Sequence, residues 1–341
     1  MILSGDIGGT KTNISLFRIE KGALKEEYSD TCATRAYPGL QILIKDFLDK
    51  TPEHGREIAV ACFGVAGPVT QNRAKPTNVP HWETIAGDEV AQKTGLSRVM
   101  LLNDLVAMAC GISALGEEDL ATLHAGTEEP GGNRVLLAAG TGLGMALLPE
   151  GWETSLPISS EGGHMDFAPR DDKEIDLLKF LQQQKFLRDA SGNHVSIERV
   201  VSGAGLKNIY DYLVKNNLGT EDPAVMHDIR RSDAPQVISK AALEGRSALC
   251  TEALRMFVAA YGAAAGSLAL VGTARGGVYL GGGIAPHVFK KLKHIDEAFE
   301  AAFLDKGRFR SFLEKVPVRV ILNTQTAMLG AAQYGARLID F

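Results

Sequence analysis

Cysteine is scarce in this chain of 341 residues: there are four, at scattered positions, and no CxxC pair occurs. A zinc cluster or a disulfide framework needs paired or clustered cysteines, so neither is expected. Cys62 and Cys110 lie in apolar runs, where we expect them to pack as small hydrophobic side chains. This usage fits a protein of the reducing cytoplasm.

A strong excess of one charge is also missing. Lys and Arg number 36 against 41 Asp and Glu, for a formal net charge of −5. We therefore expect neither nucleic acid nor an anionic membrane surface as a partner. No basic-plus-apolar signal peptide is visible, and the most apolar run, "MFVAAYGAAAGSLALVG" (residues 256–272), is short for a membrane span. We predict a buried helix there, whose small residues let a neighbouring helix approach closely.

Two common nucleotide-binding motifs are absent. GxxxxGK[ST] does not occur, and no GxGxxG follows the first predicted strand. The element order instead predicts a duplication, because strand, glycine turn and strand recur in "MILSGDIGGTKTNISLF" and "RVLLAAGTGLGMALLP". Helices alternate with further buried strands, which indicates an α/β fold of two lobes. Among the later elements we predict helices over "SIERVV" and "HVFKKLKHIDEAFEAAF" and a loop over residues 219–223. We predict a small domain of residues 1–110 plus 323–341 and a large domain of residues 111–322.

Three glycine turns each follow an apolar strand. Hairpins alone explain such turns, because glycines such as Gly8 and Gly9 allow the positive φ of a tight turn. Successive backbone N–H groups in such turns also form anion sites. "DIGGTKT" adds a hydroxyl, an ammonium and a carboxylate suited to hydrated Mg²⁺, whereas the uncharged "GGGIAP" suits a nucleoside. The predicted nucleotide-binding residues are Asp6, Gly8, Gly9, Thr10, Lys11, Gly140, Thr141, Gly142, Gly281, Gly282 and Gly283, with Asp6 also the metal ligand.

Asp104 ends the buried strand "RVMLLND". The carboxyl ends of strands in open α/β sheets are where ligands gather. A carboxylate there can act as a general base, or it can simply cap the helix that follows. The residues alone leave both roles open.

The stretch "SSEGGHMDFAP" brings Glu161 and His164 close in sequence. Two glycines between them argue against a helical zinc pair, and no Cys or His cluster completes a metal site. An acid/base pair is a second interpretation. We favour a third, a clamp for the vicinal hydroxyls of a sugar, because Glu accepts and His donates hydrogen bonds. Asp166 is expected to hold this loop through backbone N–H groups.

Seven blocks occur in an order that resembles bacterial glucokinases of the hexokinase-like type. They are "GDIGGTKTN", "LLNDLVA", "AAGTGLGMA", "SSEGGHMDFAP", "IERVVSGAGL", "GGVYLGGGIAP" and "DKGRF". The resemblance implies duplicated actin-like ATPase (ribonuclease H-like) domains, with two lobes around a central cleft. It also implies ATP- and Mg²⁺-dependent phosphorylation of D-glucose at the 6-hydroxyl, a homodimer, and a C-terminal helix that packs on the N-terminal lobe.

The resemblance also implies roles for single residues. Asp104 becomes the base, and the matching sugar contacts are Asn103, Asp104, Glu161, His164 and Glu198. Without it, Glu198 would be a solvent-facing helix residue. Asn78 lies in a loop between strand and helix, where we expect a further sugar contact. Arg308 in "DKGRF" is either a phosphate contact or a surface ion-pair partner.

Three competing classes are less well supported. The related repressor/open-reading-frame/kinase (ROK) sugar kinases carry a zinc-binding cysteine cluster after the "GH" loop, and nothing here matches it. A sugar-sensing regulator is expected to carry a DNA-binding helical domain, yet Met1 leads straight into the first strand. A filament-forming ATPase would not need both "NDL" and "EGGH". The range of sugar acceptors stays open, because pockets discriminate weakly against small additions.

Overall fold

The computed structural model describes residues 1–51, 57–152, 156–184, 193–289 and 295–339. The chain divides into two compact units. The first comprises Met1–Asp119, Gly151–Ser159 and Asn323–Phe341, and the second comprises Leu120–Glu150 and Ser160–Leu322. This division assigns residues 111–119 and 151–159 to the first unit, whereas the sequence prediction assigns them to the large domain.

Strands and helices alternate in the first part of the chain, and helices dominate the second. The strands are β1 Ile2–Ile7, β2 Lys11–Glu20, β3 Ala23–Ala33, β4 Val60–Val65, β5 Val69–Thr70, β6 Arg73–Ala74, β7 Ile85–Ala86, β8 Val99–Asn103, β9 Leu120–His124, β10 Arg134–Ala139, β11 Leu143–Leu148, β12 Ile158–Ser160, β13 Gly277–Gly281 and β14 Val318–Ile321. The α-helices are α1 Leu40–Asp49, α2 Gly87–Thr94, α3 Asp104–Gly111, α4 Asp172–Gln183, α5 Gly203–Lys215, α6 Pro223–Arg231, α7 Ala234–Leu243, α8 Ala248–Gly272, α9 Ile284–Phe289, α10 Ile295–Leu304, α11 Arg310–Leu313 and α12 Thr326–Ile339.

The first unit is built on a five-stranded sheet in the order β3-β2-β1-β4-β8. β1 pairs antiparallel with β2 and parallel with β4, and β4 pairs parallel with β8. All six residues of β4 are buried, as expected of a parallel strand covered on both faces. α12 closes this unit: the Ser4 hydroxyl donates to the carbonyl oxygen of Met328 at 2.6 Å. The predicted return of the C-terminal helix to the N-terminal lobe is confirmed.

The second unit repeats this strand order. Its sheet contains the run β11-β10-β13-β14-β9. β10 pairs antiparallel with β11 and parallel with β13, and β13 pairs parallel with β14. The pairing of β11-β10-β13-β14 therefore matches that of β2-β1-β4-β8, which confirms the predicted duplication. β9 adds an antiparallel edge next to β14.

The apolar run predicted to be a buried helix forms most of α8. This helix is long and apolar enough to cross a membrane, but 72% of its most apolar window is buried inside the protein. A Cβ added at Gly266 would lie 2.5 Å from the carbonyl oxygen of Phe303, and one at Gly262 would overlap that of Phe299. Small residues therefore admit the backbone of α10, as the sequence predicts, and burial in the core accounts for the composition of α8.

Three helix predictions need correction or completion. "SIERVV" forms only a short 3₁₀ turn, Ile197–Arg199, since this segment pairs as an isolated bridge at Ser196 instead of continuing as a helix. α6 is missing from the sequence prediction, although Asp222 caps it and Pro223 occupies its first position, a common start signal. The single helix expected over "HVFKKLKHIDEAFEAAF" appears as α9 and α10, and residues 290–294 lie outside the described ranges.

Candidate active site

The predicted base and metal ligand lie at one edge of the first sheet. Asp6 is opposite Gly64 in the β1–β4 register, and Asn103 ends β8 opposite Val65. A Cβ at Gly64 would lie 3.7 Å from both Oδ1 of Asp6 and Cα of Asp104. The carboxylate of Asp6 and the backbone of Asp104 therefore both lie next to Gly64 of β4. The carboxyl ends of the parallel strands gather them, as the sequence predicts.

Gly8 and Gly9 follow β1, but not for the predicted reason. Neither has a positive φ, so the expectation of left-handed turn residues is wrong. The chain needs glycine because of close contacts: a Cβ at Gly8 would lie 2.5 Å from the carbonyl oxygen of Lys11, and one at Gly9 2.6 Å from that of Asn78. The Gly8 N–H donates to the Lys11 carbonyl at 3.1 Å. Thr10 and Lys11 are exposed beside this turn.

Asp6 is half-buried, and burial raises its pKa to about 6. The ammonium of Lys11 acts in the opposite direction and lowers this pKa. A desolvated carboxylate is costly to ionise, and a cation at the site offsets that cost. A carboxylate in this position therefore fits a divalent cation such as Mg²⁺, which prefers oxygen ligands.

Asn103, and not Asp104, is the N-cap of α3. Its Oδ1 accepts hydrogen bonds from the N–H groups of Leu105 at 3.0 Å and Val106 at 3.2 Å. Its Nδ2 donates to the Gly67 carbonyl at 3.0 Å and to Oδ1 of Asp104 at 3.1 Å. The N-cap position that the sequence analysis allowed for Asp104 is therefore occupied by its neighbour Asn103.

Asp104 is the first residue of α3 and is half-buried. Its Oδ1 also accepts from the Leu105 N–H at 2.9 Å. The same oxygen thus accepts two hydrogen bonds, one from the Asn103 side chain and one from the Leu105 backbone. Asn78 is exposed in the neighbouring loop, and its Nδ2 donates to the Ile7 carbonyl at 3.4 Å. The first unit thus brings the turn Gly8–Lys11, Asn78, Asn103 and Asp104 to one region.

In the second unit, Glu161 directly precedes a 3₁₀ turn formed by Gly162–His164, and His164 is the last residue of that turn. Their side chains are 83% and 60% exposed, with Oε2 of Glu161 4.0 Å from Nε2 of His164. A single 3₁₀ turn therefore forms over the two glycines, although the sequence analysis uses them as an argument against a helix. No group of three or more metal-ligating side chains is present in the described ranges. Two exposed, adjacent polar groups suit a hydroxyl-bearing ligand.

The glycines of this loop serve packing. A Cβ at Gly162 would lie 2.6 Å from Sδ of Met145, and one at Gly163 would overlap the carbonyl oxygen of Leu143. The loop therefore lies directly on β11. Neither glycine has a positive φ, so the close packing against β11, and not a left-handed backbone, accounts for glycine at these two positions.

Asp166 holds the loop, but through a different partner from the one predicted. Its Oδ1 lies 2.8 Å from Nδ1 of His194, and its backbone forms an isolated bridge with Ser196. The Ile197 N–H donates to the Met165 carbonyl at 2.8 Å. The Glu161 loop is thereby attached to the segment that leads to Glu198.

Glu198 is half-buried and contacts the glycine turn between β10 and β11. Its Oε2 accepts a hydrogen bond from the Leu143 N–H at 3.0 Å. A Cβ at Gly142 would lie 2.6 Å from the same oxygen. Within the turn, the Gly140 N–H donates to the Gly142 carbonyl at 2.9 Å. The reading of Glu198 as a solvent-facing helix residue is wrong.

The third glycine turn lies beside the second. Gly282 has φ of 79°, and a Cβ there would overlap the carbonyl oxygen of Ala139, the last residue of β10. Gly281 ends β13, Gly283 has open space around its Cβ position, and α9 begins at Ile284. The second unit thus brings together Gly140–Gly142, Glu161, His164, Glu198 and Gly281–Gly283.

Two further observations complete the sequence predictions. Arg308 is exposed, with its guanidinium carbon 5.2 Å from the ring centroid of Phe309. The structure therefore shows Arg308 in contact with an aromatic ring, a partner that the sequence analysis did not consider. Sequence reasoning also missed the Leu143 N–H and the His194 partner of Asp166. No motif could identify the first, because a backbone group has no side-chain signature.

Comparison with known proteins gives the same assignment over the whole chain. The sequence profile of the family described as Glucokinase matches residues 3–338. A glucokinase of Nostoc sp. (strain PCC 7120) is 38% identical over 352 residues, which cover 99% of this chain and 99% of that protein.

Solved structures share the fold. The glucokinase from an Antarctic psychrotroph matches with a TM-score of 0.83 at 29% identity, over 98% of both chains. A ROK family glucokinase from Streptomyces griseus, in complex with glucose and AMPPNP, matches with a TM-score of 0.65 at 21% identity, again over 98% of both chains. These matches confirm the predicted actin-like, duplicated α/β fold.

Proposed function

The chain belongs to the glucokinase family, and we propose on that premise how its residues act on glucose and ATP. The reaction transfers the γ-phosphoryl group of ATP to the 6-hydroxyl of D-glucose and yields glucose 6-phosphate and ADP. The proposal rests most directly on Asp104, whose carboxylate directly follows β8 and is oriented by hydrogen bonds from Asn103 and Leu105.

Asp104 serves as the general base. Its carboxylate accepts the proton of the 6-hydroxyl while that oxygen forms the bond to the γ-phosphorus, and ADP leaves with the electrons of the broken bond. Asp104 also contributes to holding the sugar. Asn103 orients this carboxylate through its side-chain amide. Asn78, exposed in the adjoining loop, is a further sugar contact.

The sugar is held in the second unit by Glu161, His164 and Glu198. The first two side chains are exposed next to each other, so they can exchange their water contacts for vicinal hydroxyls with little rearrangement. Glu198 retains acceptor sites besides the one used by Leu143, because a carboxylate offers about four lone-pair positions. Hydrogen bonds from hydroxyls to these carboxylates select for a polyol.

The phosphates are placed on the turns Gly8–Lys11 and Gly140–Gly142, with Thr10, Lys11 and Thr141 as side-chain contacts. Lys11 is exposed beside its turn and carries the positive charge. Gly281–Gly283 accommodate the adenosine, since no charge lies in that turn. Asp6 is the residue that would hold Mg²⁺, and the ion when bound screens phosphate charge.

The direct test is a coupled assay of phosphoryl transfer with a panel of sugars and nucleotides. We expect ADP release with ATP and Mg²⁺ that depends on glucose. A chain that hydrolyses ATP at the same rate with and without sugar is an actin-like ATPase and contradicts the proposal. Mannose and glucosamine in the same panel define the acceptor range.

Location, partners, oligomeric state and domain division complete the proposal. The enzyme acts in the cytoplasm, which fits four free cysteines, all of them buried. It works without nucleic acid or membrane partners, and it forms a homodimer. The functional division follows a small domain of residues 1–110 plus 323–341 and a large domain of residues 111–322.

A further inference from the structure

The segment 198–203 is attached to both ends of the glycine turn Gly140–Leu143. At one end, Oε2 of Glu198 accepts the Leu143 N–H at 3.0 Å. At the other end, the Gly203 N–H donates to the Gly140 carbonyl at 2.8 Å. A residue proposed to contact the sugar is thus hydrogen-bonded to the turn proposed to bind phosphate.

The backbone of Leu143 contacts both sugar-binding segments, the one with Glu198 and the one with Glu161 and His164. Its N–H donates to Glu198, and its carbonyl oxygen lies against Gly163 in the turn between Glu161 and His164. The two segments are in turn joined by the bridge of Asp166 with Ser196. A change in either sugar-binding segment therefore acts directly on the backbone of the turn.

The position of Gly142 shows how closely the glycine turn approaches the carboxylate of Glu198. A Cβ at position 142 would lie 2.6 Å from Oε2 of Glu198, shorter than any ordinary carbon–oxygen contact. A Cβ at Gly140, two residues earlier in the same turn, would meet nothing within 4 Å. Alanine at position 142 would therefore displace the carboxylate of Glu198.

We infer that Glu198 is a positioning residue for the phosphate-binding turn as well as a sugar contact, so that sugar and nucleotide bind with positive coupling. Sugar hydroxyls that bind one oxygen of Glu198 restrict the rotamer of the whole carboxylate. The other oxygen then holds the Leu143 N–H and the turn in one conformation, and the nucleotide no longer has to order it. This inference rests on the proposed function.

The test compares Gly142→Ala with Gly140→Ala. Glucose affinity is measured by calorimetry without nucleotide, and the affinity for Mg²⁺-AMPPNP is measured with and without saturating glucose. In the unchanged protein, glucose is expected to tighten AMPPNP binding. Gly142→Ala should weaken glucose binding by about tenfold, the equivalent of about 1.4 kcal/mol, and abolish the tightening. Gly140→Ala alters the same turn without reaching Glu198, so AMPPNP affinity should be tightened by glucose as in the unchanged protein, whatever its value without glucose.

Glu198→Gln provides a second readout. Its amide oxygen can still accept the Leu143 N–H, so hydrogen exchange of that amide should stay slow, whereas Glu198→Ala should expose it to faster exchange. Equal glucose affinity in a folded Gly142→Ala protein, or equal exchange in the two Glu198 variants, would overturn the inference. Absence of glucose binding by the unchanged protein would instead overturn the proposed function.

Discussion

The side-chain amide of Asn103 donates a hydrogen bond to Oδ1 of Asp104 at 3.1 Å. The same nitrogen donates to Gly67, and the oxygen accepts from the N–H groups of Leu105 and Val106. A primary amide has two donors and two acceptor lone pairs, so the protein itself uses all of them. We therefore expect Asn103 to act through Asp104, since a direct bond to sugar would require one of these bonds to break.

The substitution Asn103→Asp tests this role. The carboxylate still caps α3, but it loses both donors and adds a negative charge next to Asp104. We expect kcat to fall by about tenfold or more, because a hydrogen bond to a charged group contributes about 1.5–3 kcal/mol. The acid limb of the kcat profile should move to higher pH, with little change in the KM for glucose.

Asn72 offers a matched control for that experiment. It also donates to an aspartate and to a strand carbonyl, at Asp88 and Val99, and accepts from the Leu101 N–H. Asn72→Asp should reduce stability to a similar extent without moving the pH profile. If Asn103→Asp instead raises KM with kcat unchanged, Asn103 is a sugar contact.

The substitution Asp104→Asn removes the proposed base while retaining the size of the side chain. Turnover should fall by about 10²–10⁴-fold, the range typical of general-base removal. Glucose affinity, measured by direct binding, should fall far less. Near-normal turnover in this variant would exclude Asp104 as the base.

The substitution Glu161→Gln removes a charged acceptor from the sugar clamp. We expect glucose binding to weaken by about 1–3 kcal/mol, because the bonds lost are charge-assisted. Glu150→Gln, at another exposed glutamate of the same unit, is the control and should bind glucose normally. An unchanged KM and kcat in the Glu161 variant would contradict the clamp.

The raised pKa of Asp6 predicts that its carboxylate lowers the stability of the fold while it supports turnover. Its folded-state pKa is raised from 3.8 to about 6. Between those values the folded state binds more protons than the unfolded state, so this carboxyl lowers stability as pH rises through that window. Asp6→Asn should therefore stabilise the protein without Mg²⁺ and nucleotide by about 1–3 kcal/mol at pH 8, and much less at pH 4.

Urea denaturation at the two pH values measures this difference. The same variant should lose Mg²⁺-dependent turnover, since a neutral amide is a poor ligand for the ion. An Asp6→Asn protein that is less stable than the unchanged protein at pH 8 would show that the carboxylate has a stabilising partner and that its pKa is not raised.

The packing of α12 on α3 allows a test of the fold itself. A Cβ at Gly330 would overlap the carbonyl oxygen of Ala107, so Gly330→Ala must push the helices apart. We expect a loss of about 1–3 kcal/mol or more, measured by denaturant unfolding. Gln333→Ala, at a half-buried position of the same helix, should change stability by less than about 0.5 kcal/mol. Equal stability of the two variants would contradict the close packing.

Much of the fold could be predicted from local patterns. The apolar positions Leu40, Leu43, Ile44 and Phe47 of α1 are all buried, and Gly95 ends α2 with φ of 75°. Such features depend on periodicity and on the conformational freedom of one residue. α6 could also have been predicted, because Asp222 and Pro223 form a common start signal for a helix. "SIERVV" was not, because a competing bridge to Asp166 overrides its helical pattern.

The sequence by itself determined the duplicated strand order, the family blocks and the acidic residue at the end of β8, because each depends on neighbours along the chain. Only the tertiary structure decided why Gly9 and Gly142 are glycines and what Asn103 and Glu198 contact. Glu198 and Leu143 are 55 positions apart, and the group contacted on Leu143 is a backbone N–H. Every residue except proline carries that group, so no pattern of side chains can reveal which one is used.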